Sequence, residues 1–343
     1  MKIKLKPVNE QVIVITGASS GIGLVTAKMA AKRGAKLVLA ARNEEALQKL
    51  TDDLNAGGAR AVYVVTDVGD EAQMNHVAEV AMSEFGGFDT WVNNAGVSIF
   101  GMVTDVSIED MKRMFDTNFW GTVYGCRIAA KHYKDDNKPG AIINVSSFFG
   151  DRATPVQSTY SASKFAVHGI TDSLRMELEA SGLPISVTTV HPGRIDTPYN
   201  EHAQSYMLQQ PAHRGYIYPP QSVAEAILYA AGHQTRDMFV GFQAKFFAVM
   251  GTLAPRLTDK IMEKWMFISQ VADRPSRPRE ESGLYKPGVG LLQENGTQQG
   301  HWYRSGSVYV TLSKNPVLTS VVALAGLGAL AALGLSKAKK ATV

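Results

Sequence analysis

The sequence predicts an α/β fold, a doubly wound parallel sheet in three layers, α/β/α. Three observations predict it. Short β-branched, apolar runs alternate with stretches of helical period across residues 11–240. Those runs are apolar throughout, as strands buried on both faces of a parallel sheet are. Turns rich in Gly, Ser and Asn follow several of them, at the carboxyl ends where open α/β sheets bind ligands.

The 343 residues suffice for one large α/β domain and an appendage. A hydrophobic share of 45% and a charged share of 19% are those of a globular chain. Net charge is +4 with no dense basic block in the main body, so nucleic-acid binding is not expected. Cys126 is the sole cysteine, which excludes an intrachain disulfide and a cysteine-built metal site; it reads as a small buried residue, and no metal is predicted. Met1 to Pro7 carries lysines at 2, 4 and 6 but no apolar core or cleavage site of a secretory signal. The folded part is therefore expected on the cytoplasmic side of any membrane.

Gln11 to Thr16 is the first strand, and Leu24 to Arg33, ended by Gly34, the first helix. Between them lies Thr16-Gly17-Ala18-Ser19-Ser20-Gly21-Ile22-Gly23. Strand, glycine turn and helix form the context of a dinucleotide site: glycines admit a pyrophosphate to the backbone, and the helix N-terminus supplies N–H donors. The second strand, Lys36 to Ala41, ends without an acidic residue, and Arg42 follows. An acid there would select NAD(H), whereas a guanidinium grips a 2′-phosphate, so NADP(H) is favoured and NAD(H) is the alternative. Glu44 and Glu45 stand near enough to neutralise Arg42 in part. A helix from Glu44 to Leu54 and a strand from Ala61 to Thr66 lead to Asp67-Val68, where Asp67 suits a helix N-cap. Glu71 to Phe85 is helical, and Phe88 to Val92 is the fourth strand, followed by Asn93-Asn94-Ala95-Gly96. Asn118 lies inside a helical stretch running to Lys134. Ala141 to Val145 is the fifth strand, ended by Ser146-Ser147, and Val156 to Leu178 the helix carrying Tyr160 and Lys164. Four apart, those two share a helix face, and an ammonium near a phenol lowers its pKa toward the range a general acid/base needs. Ile185 to Val190 is the sixth strand, followed by His191-Pro192-Gly193-Arg194-Ile195-Asp196-Thr197-Pro198. His191 reads as a packed strand-end residue. Tyr199 to Pro220 is a lid containing Tyr199, Tyr206, Met207, Tyr216 and Tyr218; a helix to Gly232 and a last strand, Met238 to Gly241, follow.

The spacing Gly-x-x-x-Gly-x-Gly at 17, 21 and 23, with Asn-Asn-Ala-Gly at 93–96 and Tyr-x-x-x-Lys at 160–164, resembles the short-chain dehydrogenase/reductase family. The resemblance covers roughly residues 8 to 245. It implies a Rossmann-like fold and a catalytic set of Asn118, Ser147, Tyr160 and Lys164, Ser147 standing thirteen positions before the tyrosine with Ser146 structural. In this reading Tyr160 exchanges a proton with the substrate oxygen, Ser147 hydrogen-bonds that oxygen, Lys164 lowers the phenol pKa, and Asn118 holds a water linking the lysine to solvent. The implied cofactor residues are Gly17, Ser19, Ser20, Gly21, Ile22, Gly23, Arg42, Asp67, Val68, Asn94, Ala95, Gly96, Tyr160, Lys164, Pro192, Gly193, Ile195 and Thr197. The resemblance also implies dimers or tetramers formed through the helices carrying Asn118 and Tyr160. Related epimerases and dehydratases share a Tyr-Lys pair, but the compact length and intact Ser-Tyr-Lys-Asn set favour oxidoreduction. An NADP(H)-binding sensor or scaffold without turnover is the reading from another class.

Residues 1–245 are thus expected to form the catalytic domain. An apolar helical extension, 246–272, breaks near Gly251 and Pro255, where it either covers the substrate site or forms a membrane-proximal surface. Residues 273–316, rich in Pro, Gly, Arg and Gln, read as a flexible linker. Val317 to Leu335 is uncharged and reads as a membrane helix, with small-x-x-x-small pairs at Ala325/Ala329 and Gly328/Ala332. In the tail, 336–343, Lys337, Lys339 and Lys340 prefer the cytoplasmic side, which leaves spanning and interfacial topologies open. The leading expectation is a membrane-associated NADP(H)-dependent oxidoreductase acting on a small, apolar carbonyl or alcohol.

Overall fold

The β-branched runs assemble into one parallel sheet. In a computed structural model, which describes residues 2–288, 290–297, 302–303 and 306–315, seven strands pair in the order β7-β6-β5-β4-β1-β2-β3. They are β1 Val12–Thr16, β2 Lys36–Ala41, β3 Arg60–Val65, β4 Thr90–Asn93, β5 Gly140–Val145, β6 Ile185–Pro192 and β7 Asp237–Val240. The helices between them are α1 Gly21–Lys32, α2 Glu44–Ala56, α3 Glu71–Phe85, α4 Ile108–Phe115, α5 Gly121–Asp136, α6 Ser158–Ala180 and α7 Pro220–Gly232. Alternate residues of β1 feed opposite cores. Ile13 and Ile15 pack with Leu24, Leu47 and Ile227 from α1, α2 and α7. Val12 and Val14 pack with Met74, Val77 and Ala129 from α3 and α5. The strand order reverses beside β1, between β2 and β4, and that switch point is where the glycine turn and Asn93-Asn94 meet.

One local expectation is corrected, and a second is refined. Asp67 does not cap α3; Asp70 does, accepting from the amides of Ala72 and Gln73 at 2.9 and 3.1 Å. The helical stretch through Asn118 is not uniform: Asp116–Trp120 forms a wide π turn between α4 and α5. A wide turn of this kind is common near functional sites.

The larger correction lies beyond residue 245. Helices α8 (Phe242–Leu253) and α9 (Pro255–Ser269) meet at Pro255, which occupies the first helical position of α9, and Gly251 causes no break. Phe247, Met262 and Met266 bury against Phe148, Phe149 and Tyr160, so the extension roofs the end of the cleft. The supposed linker is packed for most of its described length. Residues 271–275 pair antiparallel with 209–211, Leu284 is fully buried, and helix α10 (Val308–Lys314) lies against α7 and β7. Its glycines permit close approach rather than looseness. A Cβ on Gly296 would lie 2.4 Å from the Thr197 carbonyl oxygen, and one on Gly288 would lie 2.5 Å from the His202 ring. Val317 to Leu335 and the basic tail lie outside the described residues. Among the described residues no helix is long and apolar enough to cross a membrane.

Candidate active site

At the switch point the glycine turn is laced to the end of β4. Asn94 donates its side-chain amide to the carbonyls of Thr16 (2.9 Å) and Gly17 (3.3 Å), and its backbone amide to Thr16 Oγ1 (3.0 Å). Gly17 has φ +67°, and a Cβ there would stand 2.8 Å from Ala95 Cα. Gly23 lies beneath the turn, where a Cβ would stand 2.1 Å from the Gly17 carbonyl oxygen. Asn93 faces away and bonds Asn144 of β5 at 2.8 Å. The asparagine pair therefore joins three neighbouring strands.

All but two of the residues named for the site line one cleft: Gly17, Ser19, Ser20, Gly21, Ile22, Arg42, Asp67, Val68, Asn94, Ala95, Gly96, Ser147, Tyr160, Lys164, Pro192, Gly193, Ile195 and Thr197. Gly23 and Asn118 do not face it. At the Arg42 end, Arg113 forms an ion pair with Asp67 and lies close enough to Arg42 to disfavour its charge. Burial pushes the Arg42 guanidinium down, against the pull of Asp67. The bare glycine turn, the α1 N-terminus and this cationic corner fit an anionic dinucleotide. Glu44 and Glu45 make no ion pair with Arg42 among the described residues.

At the other end, Tyr160 and Lys164 project from the first turns of α6 and are 7% and 4% exposed. Lys164 Nζ donates to the Val145 carbonyl at 3.0 Å and stands 5.7 Å from the Tyr160 ring centre. Burial lowers the Lys164 ammonium to about 8. The expected depression of the Tyr160 phenol is corrected for the protein chain itself. Burial raises it, and hydrogen bonds with Ser147 and Tyr199 offset this only partly. The phenol is thus kept protonated at neutral pH. Ser147 also accepts from the Phe149 amide at 3.2 Å, while Ser146 turns to the Lys164 carbonyl at 3.4 Å.

Asn118 is held by partners within the protein. Its amide nitrogen donates to the Val97 carbonyl (3.0 Å) and Ser163 Oγ (3.1 Å), and its oxygen accepts from the Val97 amide (2.9 Å). Fully buried, it braces α6 against the segment after β4, with its side chain committed to protein partners.

His191 is packed as expected: stacked on Phe239, it bonds Asp151 at 2.9 Å and Asp237 at 3.2 Å. Burial disfavours its charge, but the hydrogen bonds to the two carboxylates outweigh it and raise the pKa.

Beside Tyr160, Tyr199 of the lid is joined by residues the sequence did not single out. Gln157 Oε1 accepts from Tyr199 Oη (2.8 Å) and Ser98 Oγ (3.1 Å), and Gln157 also bonds Gln270 at the end of α9. Phe149 and Tyr199 set their rings edge-on to Tyr160 at 6.4 and 5.6 Å. Of the lid aromatics only Tyr199 lines the cleft; Tyr206 turns away to Asp110 (2.7 Å), and Tyr218 joins the core. Gln157, three residues before Tyr160 at the helix start, carried a positional signal. Gln270 carried none, because only the fold brings it back.

A family model described as short chain dehydrogenase matches residues 11–207. The uncharacterized oxidoreductase YxnA of Bacillus subtilis is 62% identical over 332 residues, covering 96% of this chain and 92% of that protein. An uncharacterized oxidoreductase of Staphylococcus aureus is 35% identical over 221 residues, covering 64% of this chain and 90% of its own length. Among solved structures, a short chain dehydrogenase/reductase from Burkholderia phymatum in complex with NAD is similar with a TM-score of 0.63 at 26% identity, covering 77% of this chain and 96% of that one.

Proposed function

The chain belongs to the short-chain dehydrogenase family, and from that premise we propose that it is an NADP(H)-dependent carbonyl reductase or alcohol dehydrogenase with Tyr160 as its acid/base. The observation that carries this reading is the convergence of Ser147, Tyr160 and Lys164 at one end of the cleft whose other end holds the glycine turn and Arg42. The dinucleotide, when bound, supplies or accepts the hydride. The residues that would hold it are those of the glycine turn, Asn94 to Gly96, Arg42, and Pro192 to Thr197. The chain's own part is to move one proton and to steady one oxygen. Tyr160 donates its proton to the carbonyl oxygen in reduction, or takes it back in oxidation. Ser147 hydrogen-bonds the same oxygen as negative charge develops there. The Lys164 ammonium stabilises the phenolate that Tyr160 becomes. Edge-on rings of Phe149 and Tyr199 favour an apolar small molecule, and the Gln157–Gln270 pair offers one polar contact.

A panel of aldehydes and ketones tests the reaction through loss of NADPH absorbance. NADPH binding without turnover on any of them would favour a sensor or scaffold instead. For the cofactor, Arg42→Asp is expected to lower the ratio of NADPH to NADH affinity by roughly 10- to 100-fold, the loss of one charge-assisted contact. The ratio is the right readout, because Arg42 also bonds backbone carbonyls whose loss affects both dinucleotides. An unchanged ratio would remove Arg42 from cofactor choice.

Reduction is expected to hold a constant kcat/KM at low pH and to fall as pH rises through about 8. Lys164, lowered to about 8, is charged below that value and neutral above it. Tyr160, raised above its usual value, stays protonated throughout and sets no limit. A profile flat to pH 10 would contradict the role given to Lys164.

We further propose membrane association through Val317 to Leu335, with the catalytic part on the cytoplasmic side, a reading carried by the sequence. Exposed Phe246, Val249, Leu253, Leu257 and Ile268 on α8 and α9 support an apolar contact near the cleft. Self-association through α5 and α6 is supported by exposed Phe165 and Met176 on α6.

A further inference from the structure

The C-terminal segment crosses the mouth of the cleft in two described pieces, 279–288 and 290–297, and makes its contacts with both walls. On one wall, Arg42 donates to the carbonyls of Gly283 and Leu284, and Arg113 Nε donates to the Leu284 carbonyl at 3.2 Å. Tyr285 Oη donates to Asp110 at 2.7 Å. On the other, the Gly283 amide donates to the His202 carbonyl at 2.7 Å, Ser282 Oγ donates to Gln204 at 2.6 Å, and the Gly296 amide donates to Asp196 at 3.1 Å. At the head of α1, the Gly21 amide donates to the Gln293 carbonyl at 2.8 Å, and Lys28 pairs with Glu294 at 2.7 Å.

We infer that this segment is a further element of the dinucleotide site: a strap that closes the outer side of the cleft and has to swing away for cofactor to enter or leave. The inference rests on the dinucleotide reading above. Gly283, Pro287, Gly288 and Gly290 line the same cleft as the glycine turn, so the strap bounds the site rather than lying beside it. Two of its contacts use groups a dinucleotide needs. The Gly21 amide is one of the unpaired N–H donors of a helix start, and an arriving pyrophosphate replaces the Gln293 carbonyl there. A phosphate at Arg42 replaces neutral carbonyls with a charged acceptor. The remaining anchors are Asp110, Gln204 and Asp196, off the cleft lining, and His202, which lines it; they hold the strap closed over the bound molecule. Leu284, fully buried, pins one end, while the Lys28–Glu294 pair is part-exposed and weak, so the far end can open without unfolding the domain.

The test uses the full chain and NADPH. Stopped-flow NADPH fluorescence gives the association rate, and displacement by excess NADP⁺ gives the dissociation rate, for wild type, Gly296→Val and Tyr285→Phe. Gly296→Val pushes the strap off the Thr197 carbonyl, and Tyr285→Phe removes its bond to Asp110. Both rates are expected to rise about tenfold in each, equivalent to about 1.4 kcal/mol. Tryptic cleavage at Lys286 is expected to quicken in both variants and to be slowed by NADPH in wild type. Should Gly296→Val fail to fold, Tyr285→Phe alone decides. Unchanged exchange rates would overturn the strap while leaving the proposed function intact. Faster association with unaltered dissociation would also overturn it, making the segment a mere competitor for the site. A wild type that binds no dinucleotide would remove both proposals.

Discussion

Tyr160→Phe is expected to lower kcat for carbonyl reduction by roughly 10²- to 10⁴-fold, the usual contribution of a positioned general acid. The change deletes one hydroxyl and keeps the ring, so the edge-on contacts with Phe149 and Tyr199 remain. Tyr199 keeps its bond to Gln157 at 2.8 Å, and Ser147 keeps the Phe149 amide at 3.2 Å, so no neighbour is stranded. The melting temperature and NADPH affinity are therefore expected to stay near wild type while turnover collapses. That separation carries the argument, since a structural role would move stability along with rate. The deletion also leaves the Lys164 ammonium in place. A rate within tenfold of wild type, measured under saturating NADPH, would mean that the proton comes from another group, with Tyr199 the nearest candidate.

Parts of the molecule that rest on backbone rules were legible in the sequence. Short, continuous β-branched runs such as Val-Ile-Val-Ile at 12–15 favour a strand buried on both faces. Gly17, Gly21 and Gly23 fix a turn because each stands where a Cβ would meet backbone or side chain within about 3 Å. Asn94 was readable because a strand-end amide beside that turn has few other uses. Direction and burial were less legible. Spacing put Asn118 in a helix beside the chemistry but could not say that its amide would be spent on Val97 and Ser163. The Tyr160–Lys164 spacing predicts proximity, but the sign of the phenol shift depends on burial, which the sequence does not state locally. The linker expectation fails over residues 273–297 for a physical reason. Gly and Pro density is equally the composition of a loose linker and of a chain that must lie against another backbone without room for side chains. Only partners distant in sequence, His202, Arg42 and Gly21 among them, distinguish the two.

Gly23→Ala is expected to cost dinucleotide affinity roughly 10- to 100-fold with catalytic geometry untouched, because its added methyl falls where the glycine turn is tightest. An ideal Cβ at 23 stands 2.1 Å from the Gly17 carbonyl oxygen and 2.7 Å from the Asn94 amide nitrogen. Neither partner is a flexible side-chain end. The Gly17 carbonyl belongs to a turn held at φ +67°, and the Asn94 amide is already bonded to the Thr16 and Gly17 carbonyls. Relief therefore requires the turn to lift or α1 to shift, and overpacking of this kind costs about 1–3 kcal/mol. Lifting the turn moves the backbone amides at the α1 N-terminus away from the position a pyrophosphate would take, so the strain converts into lost affinity at tenfold per 1.4 kcal/mol. Tyr160, Lys164 and Ser147 sit on α6 and the end of β5, which the displacement does not reach, so kcat at saturating NADPH is expected to hold while the cofactor KM rises. Equal losses of kcat and affinity would show that the distortion spreads through Asn94 into the catalytic end. An unaltered NADPH dissociation constant would show that the turn does not bind the pyrophosphate.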